Sequence, residues 1–495
     1  MPTFFPSAQL RDLAARVSRH PQLVLGLVFA AYLISLALWS AKYAIFRWDG
    51  MHWGSILTHS LSLCEGRVPY TEVPIYYGPL WFYLYCALGT LTEFSYLSAG
   101  LATAVALAAN IGFCILIGRR LGLRTGAIVT FVGLAAFLHP FVVYPWYDYL
   151  AGAFFTAGIY FLLRCKPVNL GAELLCAVCF SCSLLTRYTS LPIVLATILL
   201  LAFVIPVSVR SLVRIALIAI GIACVFLIAM YAGYGLTPDV IVGRIIDGYT
   251  LLSGLHTFSV LRPFRPPYTA TNIFSAAFVL CLVYYASRLT AGARDTALKV
   301  EAAIFLVSSL NMFINSAHVF EFFRLISNSP LLLLLGIDIG FRAATSIATI
   351  GWRRQPLTNV VALILVLPVL GILSLSAVQY PYATINHHIH RIAPQVASLR
   401  GLFSQHHVGS VAKVTYYDIE QFDFYGKIHE LCDLRKSVIN VSGDVMVARA
   451  CITRKLVMFD GMPETFTLLM KKHPDIFKRA VEQANLTDDE IMISY

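Results

Sequence analysis

The chain has 495 residues, of which 58% are hydrophobic and only 13% are charged, and its mean hydropathy is +0.74. Soluble domains are usually about 25% charged, so this composition excludes a soluble globular protein and predicts a polytopic membrane protein. The net charge of +11 indicates Arg-rich cytoplasmic loops, and no nucleic acid is expected as a partner.

The N-terminal part of the chain predicts a cytoplasmic start followed by a first crossing. Arg11, Arg16 and Arg19 precede an apolar run, and basic residues beside a span favour the cytoplasmic side. The run is long enough to span a bilayer, and no small-residue cleavage site clearly follows it. We therefore expect an uncleaved first helix at about residues 22–45.

The next apolar segment, residues 76–92, is about 17 residues long, near the lower limit for a spanning helix. It is rich in aromatic residues, which prefer the headgroup depth of a membrane. If it crossed, five later groups of basic residues would lie outside. These groups are Arg119, Arg120 and Arg124; Arg164 and Lys166; Arg210 and Arg214; Arg288, Arg294 and Lys299; and Arg342, Arg353 and Arg354. The positive-inside rule therefore predicts that residues 76–92 lie in the interface, which puts Asp49 and Asp148 on the same, outer side.

The remaining apolar segments predict a helical bundle with an inside N-terminus and an outside C-terminus. With the first helix they make about eleven crossings. The expected spans are residues 97–118, 126–144, 149–164, 170–186, 188–206, 214–233, 271–288, 300–318, 325–341 and 358–378. The expected outer loops are residues 47–75, 144–148, 187–190, 235–270 and 318–324.

The composition changes at about Tyr380, where His residues appear and the charge density rises. We expect a transmembrane domain at 1–379, with its first outer loop at 46–96, and a soluble outer domain at 380–495. Two strands and one helix are predicted in the outer domain: Val411–Tyr417, Lys455–Phe459 and Glu464–Gln483. The predicted fold class is an all-α polytopic membrane protein with a small C-terminal α/β extracytoplasmic domain.

The eleven Cys residues do not form a disulfide-rich pattern. Cys176, Cys179 and Cys182 have the spacing of a metal triad, but they lie within an apolar helix, where small polarizable residues pack well. We interpret them as packing residues. Cys432 and Cys451 lie in the outer domain, and an oxidising compartment would permit a disulfide between them.

The first outer loop carries the most specific pattern of the chain. It has an acid at Asp49, a Gly-Arg-x-Pro-Tyr run at 66–70 and Tyr-Gly-Pro-Leu at 77–80. A carboxylate beside hydrocarbon is costly, so its presence calls for a reason. The combination resembles the first outer loop of GT-C membrane glycosyltransferases, and the chain is similar to the protein mannosyltransferase and aminoarabinose transferase group. The residues that carry this resemblance are Arg67, Tyr70, Tyr77, Gly78 and Pro79, and it extends over residues 22–345.

The resemblance implies a polyprenyl-phosphate-linked sugar as the donor. Outside the membrane there is no pool of nucleotide-sugars, so a donor must arrive on a membrane lipid, with a phosphate as leaving group. Such a site needs a carboxylate to take the acceptor's proton, cations to hold the phosphate and a groove for the lipid. The protein is expected in a bacterial inner membrane, with a cytoplasmic N-terminus and a periplasmic or extracellular C-terminus.

Two acids are the catalytic candidates. Asp49 corresponds to the first-loop acid of the family and would act as base; the alternative is an N-cap for the helix that follows. Asp148 follows an aromatic run at an outer helix end and could assist the acceptor; the alternative is an Asp that starts a helix and is favoured by its dipole. Together they could bind Mg²⁺ or Mn²⁺, although no cofactor is established by the sequence.

The candidate phosphate ligands lie at three other outer helix ends and loops. They are Arg324, Arg265, Arg262, Arg187 and His318. Arg suits phosphate because its guanidinium is planar and bidentate. The alternative for each of the Arg residues is a surface position from which the side chain snorkels to water.

These features predict an inverting glycosyltransferase, hexosyl- or pentosyl-transferring, that acts in cell-envelope glycan biosynthesis. The acceptor would be an extracytoplasmic glycan, lipid or protein. The alternative is a transporter or flippase for a lipid-linked glycan, which is disfavoured because no repeated halves are visible and only Glu173 and Asp338 lie nearer the membrane centre. A non-catalytic scaffold whose outer domain binds a partner is the third possibility.

Overall fold

The computed structural model describes the bundle and five short strands. The described residues are 20–46, 56, 59–71, 73, 75, 77–92, 96–138, 146–166, 168–205, 207–255, 269–291, 295–316, 329–350, 406–408, 412–414, 437–440, 456–458 and 491–494. Besides a short helical stretch at residues 59–64, these ranges contain the α-helices α1 Pro21–Phe46, α2 Leu80–Thr92, α3 Tyr96–Arg120, α4 Thr125–Leu138, α5 Tyr147–Leu163, α6 Leu170–Thr186, α7 Ser190–Val204, α8 Val209–Tyr234, α9 Pro238–Leu255, α10 Thr269–Ala291, α11 Thr296–Ser316 and α12 Pro330–Ile350.

Several of the described helices have the length and composition of membrane spans. Four stretches are long and apolar enough to cross a bilayer, namely Pro21–Leu38, Ala99–Arg120, Val209–Tyr234 and Thr296–Asn315. Shorter apolar helices accompany them, including α5, α6 and α7. The chain is an integral membrane protein, as its composition predicts.

The surface of α8 shows how the bundle meets lipid. Of its 26 residues only Ser211, Ile215 and Met230 are buried. Large apolar side chains are exposed along the rest of the helix, from Val209 to Tyr231. Exposure of such an apolar surface to water is unfavourable, whereas the hydrocarbon of a bilayer solvates it. The helix packs mainly on α6, to which one ion pair also ties it.

The core lies where α5 packs between α3 and α6, and where α1 packs against α3 and α4. Small residues permit these close approaches. A Cβ at Gly158 of α5 would lie 2.5 Å from the Phe180 ring of α6. Cys176 and Cys179 are buried in α6, and Cys182 is partly exposed.

One end of the bundle, which we call the basic end, gathers Arg side chains at helix termini. Arg119 at the end of α3 donates to Gln22 at the start of α1. Arg120 donates through Nε and Nη2 to the Leu163 carbonyl at the end of α5, at 3.2 and 3.1 Å. Helix ends that belong to α1, α3 and α5 therefore meet here.

The two acids predicted near the membrane centre are paired at this basic end. Glu173 accepts from Arg214 through both carboxylate oxygens, at 2.5 and 2.8 Å. Arg342 donates to Asp338 at 2.5 Å and to Glu301 at 2.8 Å. Glu173 thus ties α6 to α8, whereas Asp338 pairs with Arg342 within α12, and Arg342 in turn ties α12 to Glu301 of α11.

The course of the chain shows that α2 does not cross. The 25-residue α3 ends at the basic end, so it begins at the opposite end. The Tyr85 hydroxyl of α2 donates to the Ala99 carbonyl near the start of α3, at 2.6 Å. Gly78, two residues before α2, donates its amide to the Thr186 carbonyl at the end of α6, opposite the basic end. Both flanks of α2 therefore lie at this opposite end. This agrees with the prediction for residues 76–92.

One predicted boundary is wrong, and one predicted loop contains a helix. Residues 235–270 were expected as an outer loop, and within them Pro238–Leu255 is helical, after Gly235 ends α8 with φ +68°. Asp239, Arg244 and Asp247 lower the hydropathy of this helix, which is not among the described helices that are apolar enough to span. The span expected at 325–341 is instead Pro330–Ile350, because Glu301 and Asp338 pair with Arg342 and let the helix continue past a charge.

The described parts of the C-terminal region are five strands: β1 His406–Val408, β2 Ala412–Val414, β3 Ser437–Asn440, β4 Leu456–Met458 and β5 Ile491–Ser494. β1 and β2 are antiparallel, while β3 pairs in parallel with both β4 and β5. Parallel neighbours require crossover connections. The connections, the predicted helix Glu464–Gln483 and the pair Cys432 and Cys451 lie outside the described residues, so the outer α/β domain stays a prediction.

Candidate functional site

The first loop reaches the bundle through a defined helix end. Residues 59–64 are helical, and Gly66 follows in the left-handed region at φ +84°. The amide of Gly66 donates to Leu63 at 3.1 Å, and that of Arg67 donates to Ser62 at 3.1 Å. This is the hydrogen-bond pattern of a Schellman C-cap, which explains the Gly-Arg start of the motif.

The motif's Tyr70 adopts a conformation that is unusual for a side chain other than glycine. Its φ is +65°, and its amide donates to the Val73 carbonyl at 2.9 Å. The side chain is buried, and its hydroxyl hydrogen-bonds the hydroxyl of Tyr188. Burial raises the pKa of Tyr70 well above its usual range, so the phenol stays protonated. A left-handed non-glycine residue costs about 1–2 kcal/mol, which the surrounding contacts must offset.

Gly78 lets the first loop lie directly against the end of α6. Its amide donates to the Thr186 carbonyl at 2.9 Å. A Cβ at this position would overlap the Leu185 carbonyl group and come within 2.6 Å of the Thr186 carbonyl carbon. Only glycine permits this backbone approach. The Tyr-Gly-Pro-Leu motif is therefore a docking segment, and Pro79 continues it into α2.

Arg187 and Asp148 form a buried ion pair at the end of the bundle opposite the basic end; we call this the aromatic end. Arg187 Nη1 pairs with Asp148, and the two side chains are only 4% and 8% exposed. The guanidinium carbon lies 5.6 Å from the centre of the Tyr77 ring. Tyr77 in turn stacks on Tyr147 at 4.4 Å. The first-loop motif and the second predicted acid are thus brought into one site.

A polar chain extends this site to the end of α11. Arg187 Nε donates to the Thr189 hydroxyl at 2.7 Å, and that hydroxyl donates to Asn315 Oδ1 at 3.2 Å. The amide group of Asn315 donates to Asn311 Oδ1 at 2.6 Å. Asn311 and Asn315 are both buried. Thr189, Asn315 and Asn311 were not among the predicted site residues, because polar residues at an apolar helix end carry no signal of which partner they face.

The structure describes only part of the predicted site. Asp148, Arg187, Tyr70, Tyr77, Gly78 and Pro79 lie together at the aromatic end, and Arg67 lies half-buried at the first-loop C-cap. Asp49, Arg262, Arg265, His318 and Arg324 lie outside the described residues. No group of three metal-ligating side chains occurs in the described part of the chain, and a cation held by Asp49 and Asp148 stays a prediction.

A disulfide that the sequence analysis did not predict secures the first loop. Cys64, at the end of the helical stretch 59–64, is bonded to Cys86 of α2, and their Cα atoms are 5.5 Å apart. The two residues are separated by 22 positions, and this spacing alone gave no indication of pairing. The bond places this part of the first loop over α2.

The comparisons with known proteins find distant similarity. No protein-family model and no curated protein sequence matches the chain. ArnT from Cupriavidus metallidurans in the apo state is similar with a TM-score of 0.49 and 13% identity, covering 93% of this chain and 89% of that one. ArnT bound to undecaprenyl phosphate gives 0.47 and 13%, covering 92% and 88%.

ArnT is a GT-C aminoarabinose transferase, so these structures come from the group that the first-loop resemblance names. Both TM-scores lie below 0.5.

Proposed function

We propose that the protein is a GT-C-type membrane glycosyltransferase that takes a sugar from a polyprenyl-phosphate carrier. The observation that carries the proposal is the docking of the first-loop motif, through Gly78 and Tyr77, onto the buried pair of Asp148 and Arg187. A polar, aromatic-walled site at the end of a lipid-embedded bundle suits a substrate with a lipid tail and a sugar head group.

The chemistry follows from the leaving group. Asp49 would accept the proton of an acceptor hydroxyl, which attacks the anomeric carbon as the sugar–phosphate bond breaks. The polyprenyl phosphate would leave with the electron pair of that bond, and configuration would invert at the anomeric carbon. Arg324, Arg265, Arg262 and His318 are proposed to hold the phosphate, since fixed cations stabilise the charge that develops on it. These roles come from the sequence resemblance.

The substrates are also part of the proposal. The donor is a hexosyl or pentosyl polyprenyl phosphate, and the acceptor is a glycan, lipid or protein outside the cytoplasm. One of the similar structures is ArnT bound to undecaprenyl phosphate, which is a carrier of this class. The protein would then work at the outer face of a bacterial inner membrane.

The test uses lipid-linked sugars extracted from cells that lack the protein, because the donor should accumulate there. Purified protein in vesicles is incubated with this labelled fraction, and the label is followed to water-soluble, lipid or protein products. Transfer supports the proposal. Movement of the intact lipid across the bilayer would identify a flippase instead. The absence of both transfer and movement would favour a scaffold.

Asp49→Asn tests the proposed base. We expect it to lower transfer by at least about a hundredfold, the scale of general base catalysis, with little change in thermal stability. Asp295→Asn is the control, because Asp295 caps α11 at the basic end and Asn is an equally good cap. Near-normal turnover of Asp49→Asn would show that Asp49 is only a helix cap.

A further inference from the structure

Arg187 is held on two edges and one face by other parts of the protein. Nη1 pairs with Asp148 at the start of α5, and Nε donates to Thr189 in the turn before α7. The ring of Tyr77 from the first loop lies under the guanidinium. With 4% of the side chain exposed, the guanidinium presents little surface to a ligand.

The contacts of Arg187 join four separate segments. These are the first loop through Tyr77, the start of α5 through Asp148, the α6–α7 turn that carries Arg187 itself, and the end of α11 through Thr189 and Asn315. Gly78, next to Tyr77, donates to the residue before Arg187 and so fixes the position of Tyr77 relative to Arg187. A side chain that is shared by four segments determines how they stand relative to one another.

We propose that Arg187 is a positioning residue, paired with Asp148, rather than a ligand of the donor phosphate. The inference rests on the proposed function and changes the role that the sequence predicted for Arg187. The pair would hold the Tyr77 wall and the end of α11, from which the chain continues to His318 and Arg324, in the arrangement that receives the lipid phosphate.

The charges of Arg187 and Asp148 are both buried, and this burial allows the role of Arg187 to be tested. Removing one member of a buried ion pair leaves the other charge uncompensated and disrupts the site, whereas replacing both members is often tolerated. A phosphate ligand behaves differently: its loss weakens phosphate binding whether or not its neighbour is also neutralised. Single and double neutral variants therefore separate the two roles.

The experiment measures undecaprenyl phosphate binding and Tm for full-length protein in detergent. The variants are Arg187→Gln, Asp148→Asn and the double variant. We expect Arg187→Gln to raise the Kd at least about tenfold and to lower Tm, because the Asp148 carboxylate stays buried without its cation. The double variant should return to within about threefold of the wild-type Kd and regain most of the Tm, because no buried charge is left.

Two further variants sharpen the result. Arg187→Lys keeps a positive charge but loses the flat fork that reaches Asp148 and Thr189 and stacks on Tyr77, so it should fall between wild type and Arg187→Gln. Arg164→Gln is the control, because Arg164 lies 5.8 Å from the Tyr160 ring at the basic end and should leave binding unchanged.

Each outcome decides a separate point. A double variant that binds as weakly as Arg187→Gln, or an Arg187→Lys that binds like wild type, would make Arg187 a phosphate ligand and overturn the inference. An Arg187→Gln variant with unchanged Kd and Tm would overturn it as well. If the wild type does not bind undecaprenyl phosphate, the proposed function loses its support, while the order of the Tm values still tests the pairing.

Discussion

His59 in the first loop is buried without a polar contact. It is 2% exposed, and neither ring nitrogen has a hydrogen-bond partner among the described residues. Its ring meets Phe82 edge-on at 5.4 Å. Burial lowers the pKa of His59 from 6.5 to about 4. The imidazole is therefore neutral at physiological pH and serves as an aromatic packing group whose nitrogens lack partners.

This burial predicts acid sensitivity with a defined sign. The unfolded chain binds a proton at pH 6.5, but the folded chain does so only near pH 4. The contribution of His59 to stability is therefore complete above pH 6.5 and is lost as the pH falls toward 4, by roughly 3 kcal/mol in total. His59→Phe should flatten this acid limb and raise Tm at neutral pH, since no buried nitrogen is left unpaired.

The measurement is thermal unfolding between pH 4 and pH 7.5 for wild type and His59→Phe. His20→Gln is the control, because His20 is exposed at the start of α1 and its removal should leave the slope unchanged. If His59→Phe keeps the wild-type slope over this range, the acid limb belongs to other groups and the pKa of His59 is not lowered.

At the residue scale, the sequence predicted positions but not partners. It placed Asp148 and Arg187 at the outer side from the charge bias of the loops, and the structure brings them into one ion pair. Hydropathy and spacing describe each helix separately. They cannot indicate that Nη1 of one residue meets the carboxylate of another across two helix ends. The left-handed Tyr70 was hidden for the same reason, because its strain is balanced by the distant Tyr188.

At the scale of elements, the first loop depends on one glycine. Gly78→Ala should weaken docking, because the new methyl group overlaps the Leu185 carbonyl and displaces the bond to Thr186. We expect a loss of about 2–3 kcal/mol, or a displaced loop with weaker lipid-phosphate binding. Gly133→Ala is the matched control, since a Cβ there meets nothing within 4 Å and alanine favours a helix.

Thermal unfolding and undecaprenyl phosphate binding are compared for the two glycine variants. Gly78→Ala should lower both, while Gly133→Ala should leave binding unchanged and leave Tm unchanged or slightly higher. Equal behaviour of the two variants would show that the approach of Gly78 to α6 is not needed for the loop to dock.

The Cys64–Cys86 bond is a second determinant of the first loop. The bond closes a loop with a sequence separation of 22, which corresponds to roughly 3 kcal/mol in the chain-entropy model. We expect the double serine variant to lower Tm by several degrees and reductant to have the same effect on the wild type. Cys224→Ala is the control, because Cys224 is exposed on the apolar surface of α8.

Mass spectrometry without reductant provides the direct check of the disulfide. Peptides that contain Cys64 and Cys86 should be found linked. Free thiols at both positions in protein purified under oxidising conditions would exclude the bond, and with it the expected effect of reductant on Tm.

The elements themselves were predictable where one physical signal dominated. The short, aromatic α2 was assigned to the interface by charge bias, and the contacts of Gly78 and Tyr85 place both of its flanks at one end. The helix α9, within the predicted outer loop 235–270, was not predicted, because its charges lower the hydropathy of the segment. The extension of α12 past Arg342 depends on tertiary pairing with Glu301, which no local pattern contains.

At the scale of the molecule, the bundle has two ends of different character. The basic end gathers Arg119, Arg120, Arg214 and Arg342, whereas the aromatic end carries the Tyr77–Tyr147 stack and the buried Asp148–Arg187 pair. Basic residues beside spans favour the cytoplasmic side. A disulfide forms readily only in an oxidising compartment, and Cys64–Cys86 belongs to the aromatic end. Two independent observations therefore predict the same orientation.

This orientation can be tested by cysteine labelling in intact cells. Thr71→Cys places a thiol at an exposed position of the first loop, and Lys166→Cys places one at an exposed position after α5 at the basic end. A membrane-impermeant maleimide should label position 71 and not position 166, and position 166 should react only after the membrane is opened. The parent protein, whose described free thiols other than Cys224 are buried or half-buried, gives the background.

The reverse pattern would put the aromatic end in the cytoplasm, where a donor on the outer leaflet could not reach Asp148 and Arg187. Labelling of both positions in intact cells would mean that α5 does not separate the two ends.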